Sequence, residues 1–340
     1  MKKFTRFLAI ALFMIISLAA CQTQTAVTTS PQTGPSTSLA ETQGGTTTLA
    51  TTQGGTTTMT TAAQAVASTA YPYEFTGANG NKVVIDKEPL RIVSLSPTYT
   101  EIVFALGVGD RLVGRTDYCD YPAEAAKVTS VGSMTEPSIE KIIELKPDVI
   151  LISFMDQDVI KKIEQTGAKV IQMSSGDSIV ESYKIMAEIA KIVNVNAAGD
   201  QMIETIKSDI AAISDKVKGL KPATAYYVAG FGQSGDYTAG DKTFMNDLIT
   251  AAGGDNVAKD AQGWNYTAEK LLEKDPEYIV IGSMAQLADT FKKTEPYKNL
   301  TAVKEDRLKE IDDNLISREG PRLAEGVKLL AKIFHPEAFK

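Results

Sequence analysis

The strongest constraint on the fold of this chain is an internal duplication. Residues 138–151 recur, with similar residues in the same order, at 267–280. In both copies a Ser or Thr precedes a short helical pattern, a proline ends it, and an apolar strand pattern follows. Residues 104–113 and 249–258 match more loosely, with a Gly-Asp pair in each. The sequence therefore predicts two related α/β lobes rather than one large sheet.

Between residues 71 and 340, short apolar runs alternate with amphipathic stretches, which is typical of parallel sheets covered by helices. Helices are predicted from Ser96 to Leu106, at 178–191 and at 197–218. Strands are predicted at 91–95, 127–131, 148–153 and 168–173. The predicted fold class is α/β, with two Rossmann-like lobes.

The helix predicted at 197–218 is the longest. Its apolar residues follow the 3.6-residue period, and at about 1.5 Å per residue it is roughly 30 Å long, enough to run along the back of both lobes. The alternative is an ordinary surface helix of one lobe. We expect an N-terminal lobe at 71–195, a single connecting helix at 196–219 and a C-terminal lobe at 220–340.

The N-terminus has the features of a secretory signal peptide at residues 1–20, with basic residues before an apolar run. Small residues then precede Cys21, which resembles the bacterial lipobox, where this cysteine becomes the lipid-modified first residue. An uncleaved membrane anchor is the alternative, but the run is short and lacks stop-transfer charges. Residues 21–70, rich in Thr, Gln and Gly, predict a disordered lipid-anchored tether, or alternatively an O-glycosylated one.

Composition excludes several kinds of site. A net charge of -7 argues against a nucleic-acid partner. The only histidine is His335, so sites built on several imidazoles cannot form, and we predict no metal held by protein ligands. Apart from Cys21 the only cysteine is Cys119, so no disulfide forms within the folded part. We interpret Cys119 as a small half-buried apolar residue, with contact to a ligand as the alternative.

Enzymatic motifs are missing from the sequence. There is no GxGxxG after the first strand and no GxSxG elbow. Asp117 and Asp120 are close enough in sequence to form a carboxylate pair, but they lie in a short loop beside Pro122 without a supporting motif. We therefore predict no catalytic residue, no cofactor and no enzyme activity.

A set of motifs occurs in a characteristic order: PLRIVSLSPTYTE at 89–101, DYCDYP at 117–122, IE at 139–140, KPD at 146–148, GDNV at 254–257 and GPR at 320–322. Together they resemble the ABC-importer substrate-binding proteins for cobalamin, haem and iron siderophores, above all the cobalamin branch. The resemblance covers about residues 73–336. It implies two α/β lobes joined by one long helix, with a ligand cleft between them, which agrees with the duplication.

The resemblance also implies that one glutamate near the start of the duplicated helix in each lobe docks onto arginines of a membrane permease. These residues are Glu140 and Glu269 in this sequence. A carboxylate in the first turn is stabilised by the helix dipole and can be held exposed. The alternative is that both glutamates only stabilise their helices, by about 0.3–1 kcal/mol each. The duplication favours docking.

In that family the cleft is lined by loops that follow strands. The resemblance therefore predicts ligand contacts from Ser96, Pro97, Tyr99, Asp117, Tyr118, Tyr121, Met134, Phe154, Phe231, Gln233, Tyr237, Trp264, Asn314 and Arg318. The many aromatic rings favour a corrinoid such as cobalamin as the transported ligand. A ferric siderophore, which would need a basic cleft, and haem, which would need an axial ligand other than histidine, are the alternatives.

The expected partners are an ABC importer permease and, through it, a separate ATPase subunit, because this chain has no Walker motif. We expect a monomer held by its N-terminal lipid on the extracytoplasmic face of the cell membrane, in a cell with one membrane. A surface adhesin lipoprotein is the distant alternative.

Overall fold

The computed structural model describes residues 68–174, 176–233, 235–283 and 286–340. The predicted signal peptide, the predicted lipid-attachment residue Cys21 and the predicted tether up to residue 67 lie outside the described residues. Within the described part, no helix is both long enough and apolar enough to cross a membrane.

The first part of the fold is a hairpin followed by a four-stranded parallel sheet. The hairpin pairs β1 (Tyr73–Thr76) with β2 (Lys82–Ile85). The sheet contains β3 (Ile92–Ser94), β4 (Leu112–Arg115), β5 (Val149–Ile152) and β6 (Lys169–Gln172). Its helices are α1 (Pro97–Ala105), α2 (Ile139–Leu145), α3 (Gln157–Glu164) and α4 (Ile179–Ile192). Strands β3 and β5 are buried throughout, as the centre of a helix-covered parallel sheet must be.

A second four-stranded parallel sheet follows helix α5 (Asn196–Val217). The strands of this part are β7 (Ala223–Val228), β8 (Asp236–Tyr237), β9 (Gly254–Asn256), β10 (Asn265–Tyr266), β11 (Tyr278–Gly282) and β12 (Leu308–Ile311); β8 and β10 form a separate antiparallel pair. The helices are α6 (Phe244–Ala251), α7 (Ala268–Lys274), α8 (Ala288–Lys293), α9 (Thr301–Lys304), α10 (Asp313–Ser317) and α11 (Leu323–Phe334). We call the parts before and after α5 the first and the second lobe.

The two sheets have the same topology. The strand order is β4-β3-β5-β6 in the first lobe and β9-β7-β11-β12 in the second. The duplicated segment forms, in each lobe, a seven-residue helix and then the third strand of the sheet. The looser match at 104–113 and 249–258 runs, in each lobe, from the end of a helix into an edge strand. The predicted α/β class with two related lobes is confirmed.

Helix α5 is the long helix that the sequence predicts at 196–219. It has 22 residues and packs against α4 of the first lobe and α11 of the second. Buried Ile203, Ile206 and Ile213 belong to a core cluster that contains residues of both lobes. The helix is therefore not a surface helix of one lobe. The exact boundaries of the lobes stay predictions.

The strand predicted at 127–131 is wrong. Residues Ala123–Lys127 form a 3-10 helix, and one isolated bridge joins Arg115 to Ser130. Because β4 itself ends at Arg115, the apolar run has a partner for a single residue only. Sequence reasoning missed β4, where Gly114 weakens the strand pattern. A Cβ atom at Gly114 would lie 2.6 Å from Cδ1 of Leu145, so a larger residue would force the Leu145 side chain to shift.

Candidate functional site

The carboxyl ends of the parallel strands bring several of the predicted site residues together. In each sheet the chain leaves the first strand toward one edge and later returns on its other side, which opens a crevice beyond the first and third strands. In the first lobe, Ser96 and Pro97 come shortly after β3, and Phe154 comes after β5. In the second lobe, Phe231 comes after β7. We call this edge of the two sheets the rim.

Four of the predicted aromatic residues expose large apolar surfaces. Phe154 is 81% exposed, Tyr118 49%, Trp264 47% and Tyr121 44%. Aromatic rings that remain exposed and lie in loops after parallel strands are typical of a surface that binds an apolar or flat ligand. These four residues stay predicted ligand contacts.

In the second lobe, a short antiparallel pair brings two predicted residues together. Strands β8 and β10 place Tyr237 opposite Asn265, and the Thr238 N–H donates to the Trp264 carbonyl at 2.9 Å. Tyr237 in β8 therefore lies close to Trp264, which immediately precedes β10. Phe231 is half-buried, because its ring packs edge-on against Phe291 with 4.9 Å between ring centroids.

The remaining predicted polar and apolar contacts lie in loops or at helix ends. Asp117 is exposed and accepts a hydrogen bond from the Ser130 hydroxyl, and Gln233 is exposed. Pro97, Met134 and Asn314 are half-buried. These five residues stay predicted ligand contacts.

Two predicted contacts lie in the core instead. Tyr99 is 1% exposed, and its hydroxyl donates to the Met173 carbonyl at 3.2 Å. It shares the buried face of α1 with Ile102 and Val103, three and four residues later, which explains why the ring turns inward. Burial raises the pKa of the Tyr99 hydroxyl above its ordinary value. Ser96, at the N-cap of α1, is 3% exposed.

Arg318 is also buried, at 8% exposure, because its guanidinium is used by the protein itself. Its Nη1 donates to Glu101 at 2.8 Å and to Asp120 at 2.7 Å, and its Nη2 donates to the Tyr118 carbonyl at 3.2 Å. The prediction that Arg318 contacts ligand directly is therefore corrected: its hydrogen-bonding groups hold the loop around Asp120.

Sequence reasoning assigned no role to Glu101 or Arg322, which form the centre of the same cluster. Glu101 is 2% exposed and forms a two-bond fork with Arg322, at 2.8 Å and 2.6 Å. This bonding raises the pKa of the Arg322 guanidinium. The guanidinium also lies over the Tyr121 ring, 4.1 Å from its centroid. One signal was present in the sequence: Glu101 is the one charged residue of helix α1.

Cys119 is fully buried rather than half-buried, and its sulfur lies 3.2 Å from the Thr116 hydroxyl. Among the described residues, no group of three or more His, Cys, Asp or Glu side chains is placed to hold a metal ion.

Helices α2 and α7 begin in the same way. The Ser138 hydroxyl accepts from the Lys141 N–H at 3.3 Å, and the Thr267 hydroxyl accepts from the Lys270 N–H at 3.2 Å. Each helix precedes a strand and runs antiparallel to it, so its first turn lies at the rim. The cap of α2 supports this position, because Ser138 N–H donates to Val131, which bonds in turn to the last residue of β4.

Glu140 and Glu269 are exposed in these first turns. The lysine that follows each of them is used elsewhere: Lys141 Nζ donates to the Ser130 carbonyl at 3.3 Å, and Lys270 Nζ pairs with Asp260 at 3.0 Å. Within the described ranges, neither glutamate has an ion-pair partner. Both carboxylates are therefore free to bind a basic surface.

Comparison with known proteins decides the family. Residues 92–315 match the periplasmic binding protein family. The chain belongs to this family. The match confirms the resemblance that the sequence motifs carried, and with it the expected relation to substrate-binding proteins of ABC transporters.

Relatives of this periplasmic binding protein cover most of its length. An uncharacterized ABC transporter substrate-binding lipoprotein, YvrC of Bacillus subtilis, is 35% identical over 277 residues, which is 79% of this chain and 88% of that protein. A cobalamin-binding protein of Halobacterium salinarum is 27% identical over 287 residues, 80% of this chain and 77% of that protein. A solved structure of a possible iron-binding, periplasmic solute-binding protein from Staphylococcus epidermidis has a TM-score of 0.65 and 27% identity, and covers 73% of this chain and 100% of that one. These relatives are named for binding and transport rather than for catalysis.

Proposed function

We propose that this chain is the extracytoplasmic substrate-binding lipoprotein of an ABC importer, and that it captures a metal-chelate ligand, with cobalamin ranked first, in the cleft between its lobes. The observation that carries the proposal is the set of exposed aromatic rings on both lobes: Tyr118, Tyr121, Phe154 and Trp264. Flat rings near a cleft suit a large macrocyclic ligand with a high apolar area.

The charges near these rings support a corrinoid over an anionic ferric siderophore. Arg318 and Arg322 are both bonded to Glu101. Arg115 donates to the carbonyls of Thr116 and Ala125. An anionic ligand would therefore have to break existing ion pairs, or in the case of Arg115 existing hydrogen bonds, to reach a guanidinium. Haem is disfavoured because the only histidine that could ligate its iron, His335, is buried. The Nε2 of His335 lies 3.0 Å from the Gly253 carbonyl oxygen.

The ligand is tested by absorption after desalting. The purified protein is incubated separately with cyanocobalamin, haem and a set of ferric siderophores, passed through a desalting column, and scanned. We expect the corrinoid spectrum to elute with the protein. Recovery of a siderophore or haem without a corrinoid would reverse the ranking.

Transport would require no chemistry from this chain. The ligand would bind between the lobes, and α5, which packs on both of them, would limit the hinge motion to a small angle. The permease would then receive the ligand at the rim, with ATP hydrolysed by a separate subunit.

Glu140 and Glu269 are the proposed docking residues. Both are exposed carboxylates in the first turn of equivalent helices, with their neighbouring lysines bonded elsewhere. Such charges steer and align two surfaces more than they add affinity. The ligand cleft and the docking charges share the rim, so docking would bring the cleft against the permease.

Charge reversal tests this assignment. The double variant Glu140→Lys, Glu269→Lys is expected to abolish ligand uptake by whole cells while the dissociation constant for ligand stays unchanged. The matched control is Glu144→Lys, Glu273→Lys, which changes the net charge equally on the same two helices, one turn farther from the rim. Full uptake by the first variant, or equal loss in both, would reject the docking role.

The proposed anchor is the lipid on Cys21. In the variant Cys21→Ala, we expect the protein to leave the membrane fraction on cell fractionation. Retention in the membrane fraction after this change would contradict lipid anchoring.

A further inference from the structure

A buried ion cluster connects the second lobe to one aromatic loop of the first. The aromatic loop is residues 118–121. Three of its four residues contact arginines of the second lobe: Asp120 bonds to Arg318 at 2.7 Å, the Tyr118 carbonyl bonds to Arg318 at 3.2 Å, and the Tyr121 ring lies under Arg322. The fourth, Cys119, is buried.

Glu101 determines where the two arginines lie. It stands on α1 of the first lobe, is 2% exposed, and accepts from both guanidinium groups. A carboxylate at this depth is stable only when its charge is compensated, and the two arginines with Asp120 make the cluster neutral overall. The guanidinium fork can satisfy Glu101 and still present a flat face to Tyr121, which a lysine cannot do.

The four side chains of the ion cluster become more exposed from Glu101 toward Asp120. The side chains of Glu101, Arg318 and Arg322 are 2%, 9% and 11% exposed, whereas Asp120 is 60% exposed. The cluster therefore has a buried base, which joins the lobes, and an open end at the rings that the ligand would meet. A ligand cannot reach Glu101 itself, but it can reach the aromatic loop, which Glu101 positions through the two arginines.

We propose that Arg318 and Arg322 of the second lobe, together with Glu101 of the first lobe that binds both of them, are positioning residues that hold the aromatic loop of the first lobe in its binding shape without contacting the ligand themselves. The inference rests on the proposed function for its effect on affinity. Its effect on the loop is independent of any ligand. Binding and lobe orientation are thereby linked, because a change in the angle between the lobes moves the arginines away from the loop.

Cys119 provides a ligand-free readout. In the full chain with Cys21→Ala it is the only thiol, and its burial makes modification by a disulfide reagent such as DTNB depend on opening of the loop. We expect Arg322→Lys, which keeps the charge but loses the fork and the flat face, to speed modification about tenfold. The dissociation constant for cyanocobalamin, followed by fluorescence of the single tryptophan Trp264, is expected to rise by about the same factor.

Arg307→Lys is the matched control. Arg307 also belongs to the second lobe, pairs with Glu305 at 2.7 Å and lies over the Tyr278 ring at 5.9 Å, but it precedes β12 and so lies at the edge opposite the rim. In this variant we expect the rate of Cys119 modification by DTNB and the affinity for cyanocobalamin to stay within about twofold of wild type.

Asp120→Asn is the second variant, because the Asp120 side chain is 60% exposed and its replacement by the isosteric amide disturbs no packed side chain. Its thiol rate is expected to rise in the absence of ligand, where any direct contact of Asp120 with ligand is irrelevant. Equal rates of Cys119 modification in Arg322→Lys, Asp120→Asn and the control would overturn the proposal. A modification rate that rises steeply in dilute urea would also overturn it, because such a rise is the sign of global unfolding rather than of loop opening. If wild type binds no cyanocobalamin, the ligand ranking fails and the thiol rates still decide the positioning role.

Discussion

Replacing Phe154 by alanine tests the cleft most directly, because the ring is 81% exposed and its removal leaves no cavity. A phenylalanine side chain has roughly 200 Å² of surface, so roughly 160 Å² of it is open in the free protein. A flat ligand covers one face, or about 80 Å², which at about 25 cal/mol per Å² gives about 2 kcal/mol. Affinity for the ligand should therefore fall about thirtyfold.

The assay is titration with cyanocobalamin, read by quenching of Trp264 fluorescence. Leu90→Ala is the matched control: Leu90 is 61% exposed, but it precedes β3 and lies at the edge opposite the rim. Both variants should unfold within about 0.5 kcal/mol of wild type, since neither side chain is packed in the core. Equal dissociation constants for the two variants would show that Phe154 does not form a wall of the site.

Three further predictions concern stability. Burial raises the pKa of Glu319 to about 7; because its pKa in the unfolded chain is about 4.3, the folded state binds the extra proton and stability is lost as pH rises through this window. The gain in unfolding free energy from Glu319→Gln should therefore be larger at pH 8 than at pH 4, and urea denaturation that shows no such pH dependence would contradict the assignment. Gly326→Ala should destabilise by about 1–3 kcal/mol in thermal melts, because its Cβ would lie 2.3 Å from the Leu315 carbonyl oxygen; an unchanged melting temperature would mean that the helix moves freely. Tyr297→Phe removes the hydroxyl that donates to the buried Asp236 carboxylate at 2.5 Å and should cost about 1–3 kcal/mol by urea denaturation, an expectation that wild-type stability would refute.

The sequence was sufficient for the architecture because duplication and periodicity are local patterns. The Ser or Thr cap, the short helix and the strand after proline occur in both lobes as predicted. The long helix begins at Asn196, the first residue of its predicted range. The strand at 127–131 could not be excluded in this way, because its failure depends on where its partner β4 ends, and that is a tertiary fact.

The site was less predictable, for a related reason. The sequence shows which residues lie in the segment after a strand. It does not show which way their side chains point, because that depends on what the neighbouring helix packs against. Tyr99 and Phe154 both belong to such segments, yet one is 1% exposed and the other 81%. Glu101 and Arg322 are more than two hundred residues apart in sequence, so their pairing was invisible until the two lobes were in place.

The duplicated topology explains why ligand and permease would meet the same side of the molecule. In each lobe the third strand is reached through a helix that starts where the neighbouring strands end, so the first turns of α2 and α7 must share an edge with the crevices. The described chain begins at the opposite edge: the Thr69 hydroxyl donates to the Lys191 carbonyl and the Tyr71 hydroxyl to the Ile192 carbonyl, at the end of α4. That end of α4 lies beside Arg111, just before β4, because the Arg111 guanidinium donates to the Val193 carbonyl. The first described residues therefore lie at the edge opposite the one at which the proposed docking residues Glu140 and Glu269 stand.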